Sequence, residues 1–441
     1  MSRVVLTAEL LAQLRTELLA HCDETCAVLF GRAVLRDGRL IRLVVRDVQW
    51  PKPEDYLIRT GIAAQLRPEF VAGVAQRARR SGESLVFVHS HPFDFNKFSP
   101  IDDTGEAALA EFFAGRTPGT IHAAMLITPD ATLARRLGTT EALAVVGVGS
   151  YLAWGSQGIT LPGQPFFERQ ERVFGILGQQ RLRNLRVGIV GLGGTGTVVL
   201  EQLAHLGIGN FLLIDPDVVE TTNLNRLVGA SPTDVGKRKV DVAAAHARRI
   251  SPEVSVEANA GSILLASVAE QLVDTDFVFG CTDSHGSRAV LNQLAYQYLV
   301  PLIDMGVIIV TAAGSVSHIA GRTQMLAPGL SCLLCGNLLN PEAVRVDLLT
   351  EFERNADPYV VGTHEPAPAV ISLNSTVASM AVTMFLSAVT GIPSSARLLN
   401  YNAMTGSCRP AAVERHPTCI VCSSRGALAR GPEWNLPARQ S

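Results

Sequence analysis

Residues 185–217, LRVGIVGLGGTGTVVLEQLAHLGIGNFLLIDPD, have the pattern of a strand, a glycine loop, a helix and a second strand. The run at 186–190 is rich in β-branched residues, 197–206 has helical apolar spacing, and the second strand at 211–214 ends in Asp215. Glycines let the backbone approach a phosphate, a helix N-terminus favours its charge, and an acid about 20 residues on can bind ribose hydroxyls. The stretch therefore predicts a nucleotide site; the alternative is a tight turn that uses glycine for its backbone freedom. The predicted site residues are Gly191, Gly193, Gly194, Gly196 and Asp215.

Length and composition indicate a soluble protein of two or three domains, since 441 residues exceed what one core usually serves and 47% of them are hydrophobic. The net charge of -2 and the absence of a dense Lys and Arg run predict no nucleic-acid partner. The N-terminus lacks a secretory pattern, so we expect a cytoplasmic protein. The segment 366–397 is long enough to span a bilayer, but Asn374 and its many Ser and Thr residues favour a helix buried in a core or dimer interface, with no membrane partner.

A second motif, His89-Ser90-His91-Pro92, follows the short apolar strand predicted at 85–88. Two histidines at i and i+2 point the same way, and Asp102, at the start of a helix predicted for 101–113, can return as a third ligand. Three nitrogen and oxygen ligands leave the fourth position of a tetrahedral zinc open for water, which is typical of a catalytic site.

Such a site also needs a base, and the carboxylate chosen is Glu24, just before a strand predicted at 25–30. The neighbouring Asp23 remains an alternative by spacing alone.

The remaining N-terminal pattern predicts helices at 7–22 and 61–80 and strands at 40–48, 121–128 and 143–148, with an Asp37-Gly38 turn before the second strand. This is a mixed-sheet α/β domain, which we place at 1–148. The next stretch is rich in Gly, Pro and aromatic residues without periodicity, which predicts a linker at 149–166.

The combination of His89, His91, Ser99 and Asp102 with an upstream Glu24 resembles the JAMM (JAB/MPN) metalloprotease motif. The resemblance implies that His89, His91 and Asp102 bind Zn2+, that Glu24 is the general base, and that Ser99 helps to hold the oxyanion. It also implies hydrolysis of peptide or isopeptide bonds after the C-terminus of a ubiquitin-like protein. Ala27 stands where that family usually carries glycine.

Downstream of Asp215 lie Asn223, Arg226, Lys239 and Asp283. A hydride-transfer site has no evident use for Arg226 and Lys239 so close to a phosphate loop, whereas a triphosphate does.

The chain from about 167 to 425 is similar to the ThiF/MoeB/HesA adenylyltransferases and to the adenylation domain of ubiquitin-activating enzymes, whose fold is Rossmann-like with a mostly parallel sheet. The resemblance implies ATP and Mg2+ as cofactors and adenylation of the C-terminal glycine of a ubiquitin-like protein. It implies that Asn223, Arg226 and Lys239 contact phosphates and that Asp283 is associated with Mg2+. Arg172 resembles an arginine that reaches the ATP of the other subunit, which implies a homodimer. The residues 426–441 are a C-terminal tail.

Two C-x-x-C pairs, Cys332 with Cys335 and Cys419 with Cys422, predict a structural zinc with four thiolate ligands. Members that form a thioester usually carry a cysteine in the segment that follows the first pair. The corresponding segment, 336–368, contains none.

The sequence thus predicts a bifunctional enzyme with one catalytic and one structural zinc. An alternative is sulfur-carrier activation and processing in cofactor or sulfur metabolism, and one of another class is a non-catalytic module that senses a nucleotide or a ubiquitin-like tail. The missing cysteine favours transfer to a partner such as a conjugating enzyme or a sulfur donor. The carrier, the final acceptor and whether both domains act on the same partner stay open.

Overall fold

The computed structural model describes residues 2–93, 95–156, 163–312, 315–356 and 368–440. They form two compact units. The first contains the described residues through 156 together with Gln297–Leu299 and Ala427–Trp434, and the second contains the other described residues. Each unit has an eight-stranded sheet of its own.

The first unit is an α/β domain with a mixed sheet, as predicted. Its helices are α1 (Ala8–Leu18), α2 (Pro68–Ser81) and α3 (Pro100–Arg116). Its strands are β1 (Arg3–Thr7), β2 (Cys26–Arg36), β3 (Arg39–Gln49), β4 (Tyr56–Thr60), β5 (Ala63–Leu66), β6 (Ser84–Ser90), β7 (Ala123–Ile127), β8 (Thr132–Arg136), β9 (Ala142–Val148) and β10 (Leu152–Trp154). The sheet order is β1-β3-β2-β6-β7-β8-β9-β10, and because β1 also pairs with β9, seven of these strands close into a ring. A separate hairpin is formed by β4 and β5.

Apolar residues cover both faces of this sheet. Along β2, Ala27 and Leu29 belong to the core cluster that includes α1, whereas Val28 and Phe30 belong to the cluster that includes α2 and α3. A strand buried on both faces has a continuous apolar sequence, which is why residues 26–30 lack a polar alternation.

The Asp37-Gly38 turn is confirmed, since both residues have positive φ (51° and 74°), as a two-residue hairpin turn requires. The helix predicted at 61–80 is wrong at its beginning. Ala63–Leu66 form strand β5, and the helix begins at Pro68. Proline suits the first position of a helix and drives the preceding residue, Arg67, into an extended conformation (φ -65°, ψ 144°).

Two short segments from late in the chain complete the first unit. The guanidinium of Arg42, only 2% exposed, donates to the carbonyl oxygens of Tyr298 (3.0 Å) and Leu299 (2.8 Å). The amide of Gln297 donates to the carbonyl oxygens of Gly431 (2.7 Å) and Trp434 (2.6 Å). These bonds give the carbonyl groups of both segments partners within the unit.

The second unit has the mostly parallel, Rossmann-like sheet predicted. Its strands are β11 (Arg186–Val190), β12 (Asn210–Ile214), β13 (Ser255–Asn259), β14 (Phe277–Gly280), β15 (Leu302–Ala312), β16 (Ser315–Leu326), β17 (Leu398–Asn402) and β18 (Ser407–Pro410). Its helices are α4 (Glu168–Asn184), α5 (Gly194–His205), α6 (Lys239–Ile250), α7 (Ala266–Ala269), α8 (His285–Gln297), α9 (Pro341–Leu348), α10 (Glu351–Ala356) and α11 (Ile371–Thr390).

The strand order β13-β12-β11-β14-β15-β16-β17-β18 starts with five parallel strands and ends with antiparallel pairs. From β11 the chain proceeds outward to β12 and β13, then returns to the other side of β11 as β14. The point between β11 and β14 is therefore a topological switch point, where open α/β sheets bind ligands.

Among the described residues, α11 is the one helix long and apolar enough to cross a membrane by length and composition. Half of its most apolar window is buried within the protein, and it packs against α5, β15 and β16. A core helix of this kind passes the same test, so the helix is weak support for a membrane span.

We predict that Gly31→Ala destabilises the first unit by about 1–3 kcal/mol, as overpacking does. A Cβ at this position would lie 2.3 Å from the carbonyl oxygen of Val44, and a backbone atom cannot move aside. The matched control is Gly73→Ala on α2, where a Cβ meets no atom within 4 Å and helix propensity predicts a gain of up to about 1 kcal/mol. Urea unfolding followed by tryptophan fluorescence measures both, because all three tryptophans, Trp50, Trp154 and Trp434, lie in the first unit. Equal stability of the two variants would contradict the prediction.

Candidate functional sites

The side chains of His89, His91 and Asp102 meet at one end of the sheet of the first unit. Their ligand atoms all lie within 4.8 Å of one another. Nε2 of His89 is 3.2 Å from Asp102 Oδ1, and Nε2 of His91 is 3.4 Å from Asp102 Oδ2. The end of β6 positions the two histidines, and the first turn of α3 positions the carboxylate.

A capping box at the start of α3 fixes the carboxylate. The backbone N–H of Ser99 donates to Asp102 Oδ2 (2.6 Å), and the N–H of Asp102 donates to the hydroxyl oxygen of Ser99 (3.2 Å). Because the Ser99 oxygen accepts in this arrangement, its hydroxyl proton stays available for a further acceptor.

These three residues fit a zinc ion. The nitrogen Nε2 of His89 is buried and makes no well-aligned hydrogen bond among the described residues, although Asp102 Oδ1 lies only 3.2 Å away. Nδ1 of His91 lies 3.0 Å from the carbonyl oxygen of Phe95, which makes Nδ1 the protonated nitrogen and leaves Nε2 as the ligand. Burial favours a neutral Asp102, but the contacts with both histidines lower its pKa well below the usual range, so it is a carboxylate. Two imidazoles and one carboxylate with one open position are the ligand set of catalytic zinc sites.

The carboxylate of Glu24 lies beside this cluster, with Oε1 at 3.5 Å from His91 Nε2. Its backbone N–H donates to the carbonyl oxygen of Thr60 (2.8 Å), which holds the residue just before β2. Burial raises the pKa of Glu24, and the nearby histidines oppose this increase. The residues that line the adjacent cleft include Glu24 and not Asp23, so the geometry favours Glu24 as the base.

The cleft beside the cluster has a volume of about 750 Å³ and mostly apolar walls from β2, β5, β6, α2 and α3. It contains a carboxylate that the sequence analysis missed, Glu106, which lies one helical turn after Asp102. Nε of Arg135 donates to Glu106 Oε2 (2.9 Å). Burial raises the pKa of Glu106, and Arg135 opposes this increase. In the sequence, the one indication of Glu106 was an acid four residues after Asp102. Acids at this spacing also occur on exposed helix faces, so the spacing alone does not indicate a cleft residue.

In the second unit, the loops after β11 and β14 touch at the switch point. Gly191 has φ of 88°, its N–H donates to the carbonyl oxygen of Ile214 (2.9 Å), and a Cβ there would lie 2.6 Å from the Cys281 carbonyl oxygen. A Cβ on Gly196 would lie 1.9 Å from the Gly191 carbonyl oxygen. Both glycines are therefore required by the fold of the loop itself.

The helix after this loop begins at Gly194, three residues earlier than predicted, so half of the glycine motif belongs to its first turn. Its N-cap, Gly193, has no side-chain cap, and a Cβ there would meet no atom within 4 Å. A helix N-terminus without a side-chain cap, beside open space at its N-cap residue, fits a phosphate.

The predicted ribose ligand, Asp215, is buried at the end of β12. Its Oδ2 accepts from Leu192 N–H (2.6 Å) and its Oδ1 accepts from Asp217 N–H (2.8 Å). Burial raises the pKa of Asp215, while these bonds and the charge of Lys239 oppose the increase. Each oxygen retains a lone pair that can accept from a hydroxyl.

The predicted phosphate contacts lie around this loop. A Cβ on Gly194 would be 3.3 Å from the side chain of Arg226, which therefore packs against the loop. Lys239 Nζ donates to Asp217 Oδ2 (2.7 Å). The side chain of Asn223 is tied into its own turn, where Oδ1 accepts from Glu220 N–H (3.2 Å).

Two predicted residues are exposed. Asp283 follows β14 in the loop that touches Gly191. Arg172 lies on α4 with a side chain 73% exposed and pairs with Glu168 on the same helix.

A buried ion cluster that was not predicted from the sequence lies beside the end of β14. Asp304, 1% exposed, stands opposite Gly280 in the register of β14 and β15. It pairs with Arg322 and lies 3.3 Å from Nε of Arg288. In the sequence, the one indication of this cluster was a charged residue within the apolar strand LIDMG.

The four predicted cysteines come together as free thiols, all within 4.8 Å of one another. The Sγ atoms of Cys332 and Cys419 are 3.6 Å apart, as are those of Cys335 and Cys422. A tetrahedral site with Zn–S bonds of about 2.3 Å requires sulfur separations of about 3.8 Å. Backbone N–H groups of Cys335, His416 and Val421 point at three of the sulfurs (3.4–3.5 Å), which favours thiolates. The cluster thus fits a structural zinc.

Comparison with known proteins agrees with this geometry. The family model described as "ThiF family" matches residues 167–421. A second model, "Prokaryotic homologs of the JAB domain", matches residues 6–138. Because the first match spans more than half of the 441 residues, the chain belongs to the ThiF family, and it carries a JAB-like domain in front.

Characterised relatives match over little more than half of this chain. SAMP-activating enzyme E1 of Haloferax volcanii is 31% identical over 251 residues, which cover 56% of this chain and 84% of that protein. Molybdopterin-synthase adenylyltransferase of Escherichia coli is 31% identical over 253 residues, 57% of this chain and 92% of that protein. Sulfur carrier protein adenylyltransferase of Thermus thermophilus is 29% identical over 247 residues, 56% of this chain and 84% of that protein.

Two neighbouring glycines should respond differently to alanine. We predict that Gly193→Ala leaves stability unchanged and weakens ATP binding about tenfold or more, because the added methyl enters only the open space where a phosphate would lie. Gly196→Ala should instead destabilise the second unit, since its Cβ would overlap the Gly191 carbonyl oxygen. Titration calorimetry with ATP and thermal unfolding separate the two effects. Unchanged ATP affinity in a folded Gly193→Ala protein would contradict phosphate binding at this loop.

Proposed function

We propose that the second unit uses ATP and Mg2+ to adenylate the C-terminal glycine of a ubiquitin-like or sulfur-carrier protein. The observation that carries the proposal is the convergence of the glycine loop, Arg226 and the Asp283 loop at one switch point. The names of the relatives support it, because two are adenylyltransferases and one is an activating enzyme.

In this reaction a carboxylate oxygen of the terminal glycine attacks the α-phosphorus. The bond to the β-phosphate breaks, so that pyrophosphate leaves and an acyl-adenylate remains. Arg226 and Lys239 offset the negative charge on the phosphoryl oxygens, and the first turn of α5 binds a phosphate through its N–H groups. Asp283 provides a carboxylate for Mg2+, and Asp215 accepts the ribose hydroxyls.

Pyrophosphate exchange into ATP tests this half of the proposal. Exchange should require both the protein and a carrier with its terminal glycine, and Asp283→Ala should reduce it by about two orders of magnitude or more. The matched control is Glu270→Ala, which removes an exposed carboxylate of the same unit. Failure of every glycine-terminated carrier, despite measurable ATP binding, would contradict the proposal and favour the sensor function.

The exposed face of α4 supports a homodimer through the second unit. Val173 (68%), next to Arg172 on α4, is exposed, and so is Phe166 (67%), which lies just before the helix. In such a dimer Arg172 would reach the partner's nucleotide. An Arg172→Ala protein that keeps full exchange activity would contradict this role.

We further propose that the first unit is a zinc peptidase that cleaves after the C-terminus of the same class of carrier. The observation that supports it is the meeting of Glu24, His89, His91 and Asp102 beside a cleft that three of them, Glu24, His89 and Asp102, line. A zinc ion held by the two histidines and Asp102 would acidify a water in its open position.

Glu24 and Ser99 have separate roles in this hydrolysis. Glu24, whose pKa burial raises, takes a proton from the attacking water and returns it to the leaving amine. The Ser99 hydroxyl, already placed as an acceptor from Asp102 N–H, donates its proton toward the carbonyl oxygen under attack. The capping box keeps Ser99 and Asp102 in fixed relation.

Hydrolysis of a carrier extended beyond its terminal glycine tests this second proposal. Glu24→Gln should lower kcat about 10²- to 10⁴-fold, the usual contribution of a general base, with the zinc content unchanged. Glu17→Gln, an exposed acid on α1, is the matched control. Equal hydrolysis by the Glu24→Gln protein would show that the carboxylate is not the base.

The acceptor of the adenylate is a separate question. The segment 336–368 has no cysteine, and residues 357–367 of it lie outside the described ranges. Burial raises the pKa of the Cys281 thiol, which makes it a poor nucleophile. We therefore propose that the adenylate passes to a partner, either a conjugating enzyme or a sulfur donor. Thiocarboxylate on the carrier would identify the sulfur branch, and a carrier bound to a protein amine would identify conjugation.

A further inference from the structure

The cleft of the first unit contains more carboxylates than the hydrolytic site needs. Glu24, Asp102 and Glu106 all line it, while the described lining residues include neither Lys nor Arg. Two of these acids have tasks in the proposed reaction. Glu106 has none, although it is 6% exposed and deeply placed on α3.

The hydrogen bonds of Glu106 are incomplete. Arg135 donates to its Oε2 (2.9 Å), but the same guanidinium also pairs with Asp103 Oδ1 (2.7 Å) and lies 3.9 Å above the ring of Phe98. Oε1 of Glu106 is buried and has no hydrogen-bond partner among the described residues. A buried acceptor without a donor destabilises the fold unless a ligand supplies one.

The walls of the cleft that Glu106 lines are mostly apolar. They include Leu66, Val71, Phe87, Leu109 and Phe112. A long aliphatic stem with a cationic donor at its end matches such walls together with a single free carboxylate oxygen. Arginine and lysine are the side chains of this kind.

The position of Glu106 on α3 determines how far from the cleaved bond the selected side chain lies along the substrate. Four residues of helix separate it from Asp102, which is a rise of about 6 Å. An extended peptide advances about 3.3 Å per residue, so a substrate side chain that reaches Glu106 belongs to a residue about two positions from the cleaved bond.

We propose that Glu106 and these apolar walls form a subsite that selects a basic side chain within three residues of the bond that the first unit cleaves. This proposal rests on the proposed peptidase function. In this subsite the carboxylate of Glu106 selects the substrate side chain, and its ion pair with Arg135 holds that carboxylate in place.

The test measures peptide binding to full-length, zinc-loaded Glu24→Gln protein, so that hydrolysis does not interfere. The probes are fluorescein-labelled peptides of alanine and glycine with a single Arg, norleucine or Glu at one of three positions on either side of a central bond. Fluorescence anisotropy should show binding about tenfold or more tighter for Arg than for norleucine at one position, and weakest binding for Glu there.

A second substitution assigns the preference to one residue. Adding Glu106→Gln should abolish the difference between Arg and norleucine, whereas Glu111→Gln, an exposed acid on the same helix, should leave it unchanged. If Glu106→Gln does not fold, Glu106→Leu combined with Arg135→Met replaces both charges with apolar groups of similar size and serves instead.

The outcomes separate the two proposals. No preference for Arg at any position, or a preference that survives the Glu106→Gln change, or the Glu106→Leu/Arg135→Met change used in its place, would overturn the subsite. A Glu106-dependent preference in a protein whose wild-type form cleaves none of these peptides or extended carriers would retain the subsite and overturn the peptidase function.

Discussion

Pairing of neighbouring strands is the constraint on which both candidate sites depend. In the first unit β2 pairs antiparallel with β6 and Cys26 stands opposite His89, so Glu24, just before β2, lies beside the two histidines at the end of β6. The N–H of His91 bonds to the Ile127 carbonyl oxygen (3.0 Å) of the parallel strand β7, which extends the ladder just past the end of β6. In the second unit β11 lies between β12 and β14 and is parallel to both. The start of a strand meets the end of an antiparallel neighbour, and the ends of parallel strands meet at one edge, so site residues separated by up to about a hundred positions in sequence become neighbours.

Local backbone hydrogen bonds then hold the acidic side chains that lie at these sheet edges. Asp102 accepts from Ser99 N–H, and Asp215 accepts from two N–H groups of adjoining loops. Such bonds offset the cost of burying a carboxylate, and they orient it before any ligand arrives. Asp304 is held differently, by two arginines. Glu106 stands apart because one of its oxygens has no donor among the described residues.

The sequence was informative wherever the determinant was local. The glycine loop, the two histidines and the paired cysteines are short motifs whose geometry follows from neighbouring residues. The beginning of α2 was also local, but the apolar spacing at 61–80 obscured Pro68 as the signal for the start of the helix. Other features depend on tertiary contacts. No apolar periodicity or motif in the sequence indicates that Glu106 faces a cleft. None indicates that two later segments, Gln297–Leu299 and Ala427–Trp434, join the first unit.

The proposed peptidase requires a zinc ion at His89, His91 and Asp102 of the first unit in addition to one in the four-cysteine cluster of the second. Plasma mass spectrometry on purified and dialysed protein measures the zinc content per chain. We expect two zinc ions in the wild-type chain and one in Asp102→Ala, with the second unit still folded, because that substitution removes a ligand from only one group. A wild-type chain that holds a single zinc, unchanged by Asp102→Ala, would rule out a zinc site in the first unit.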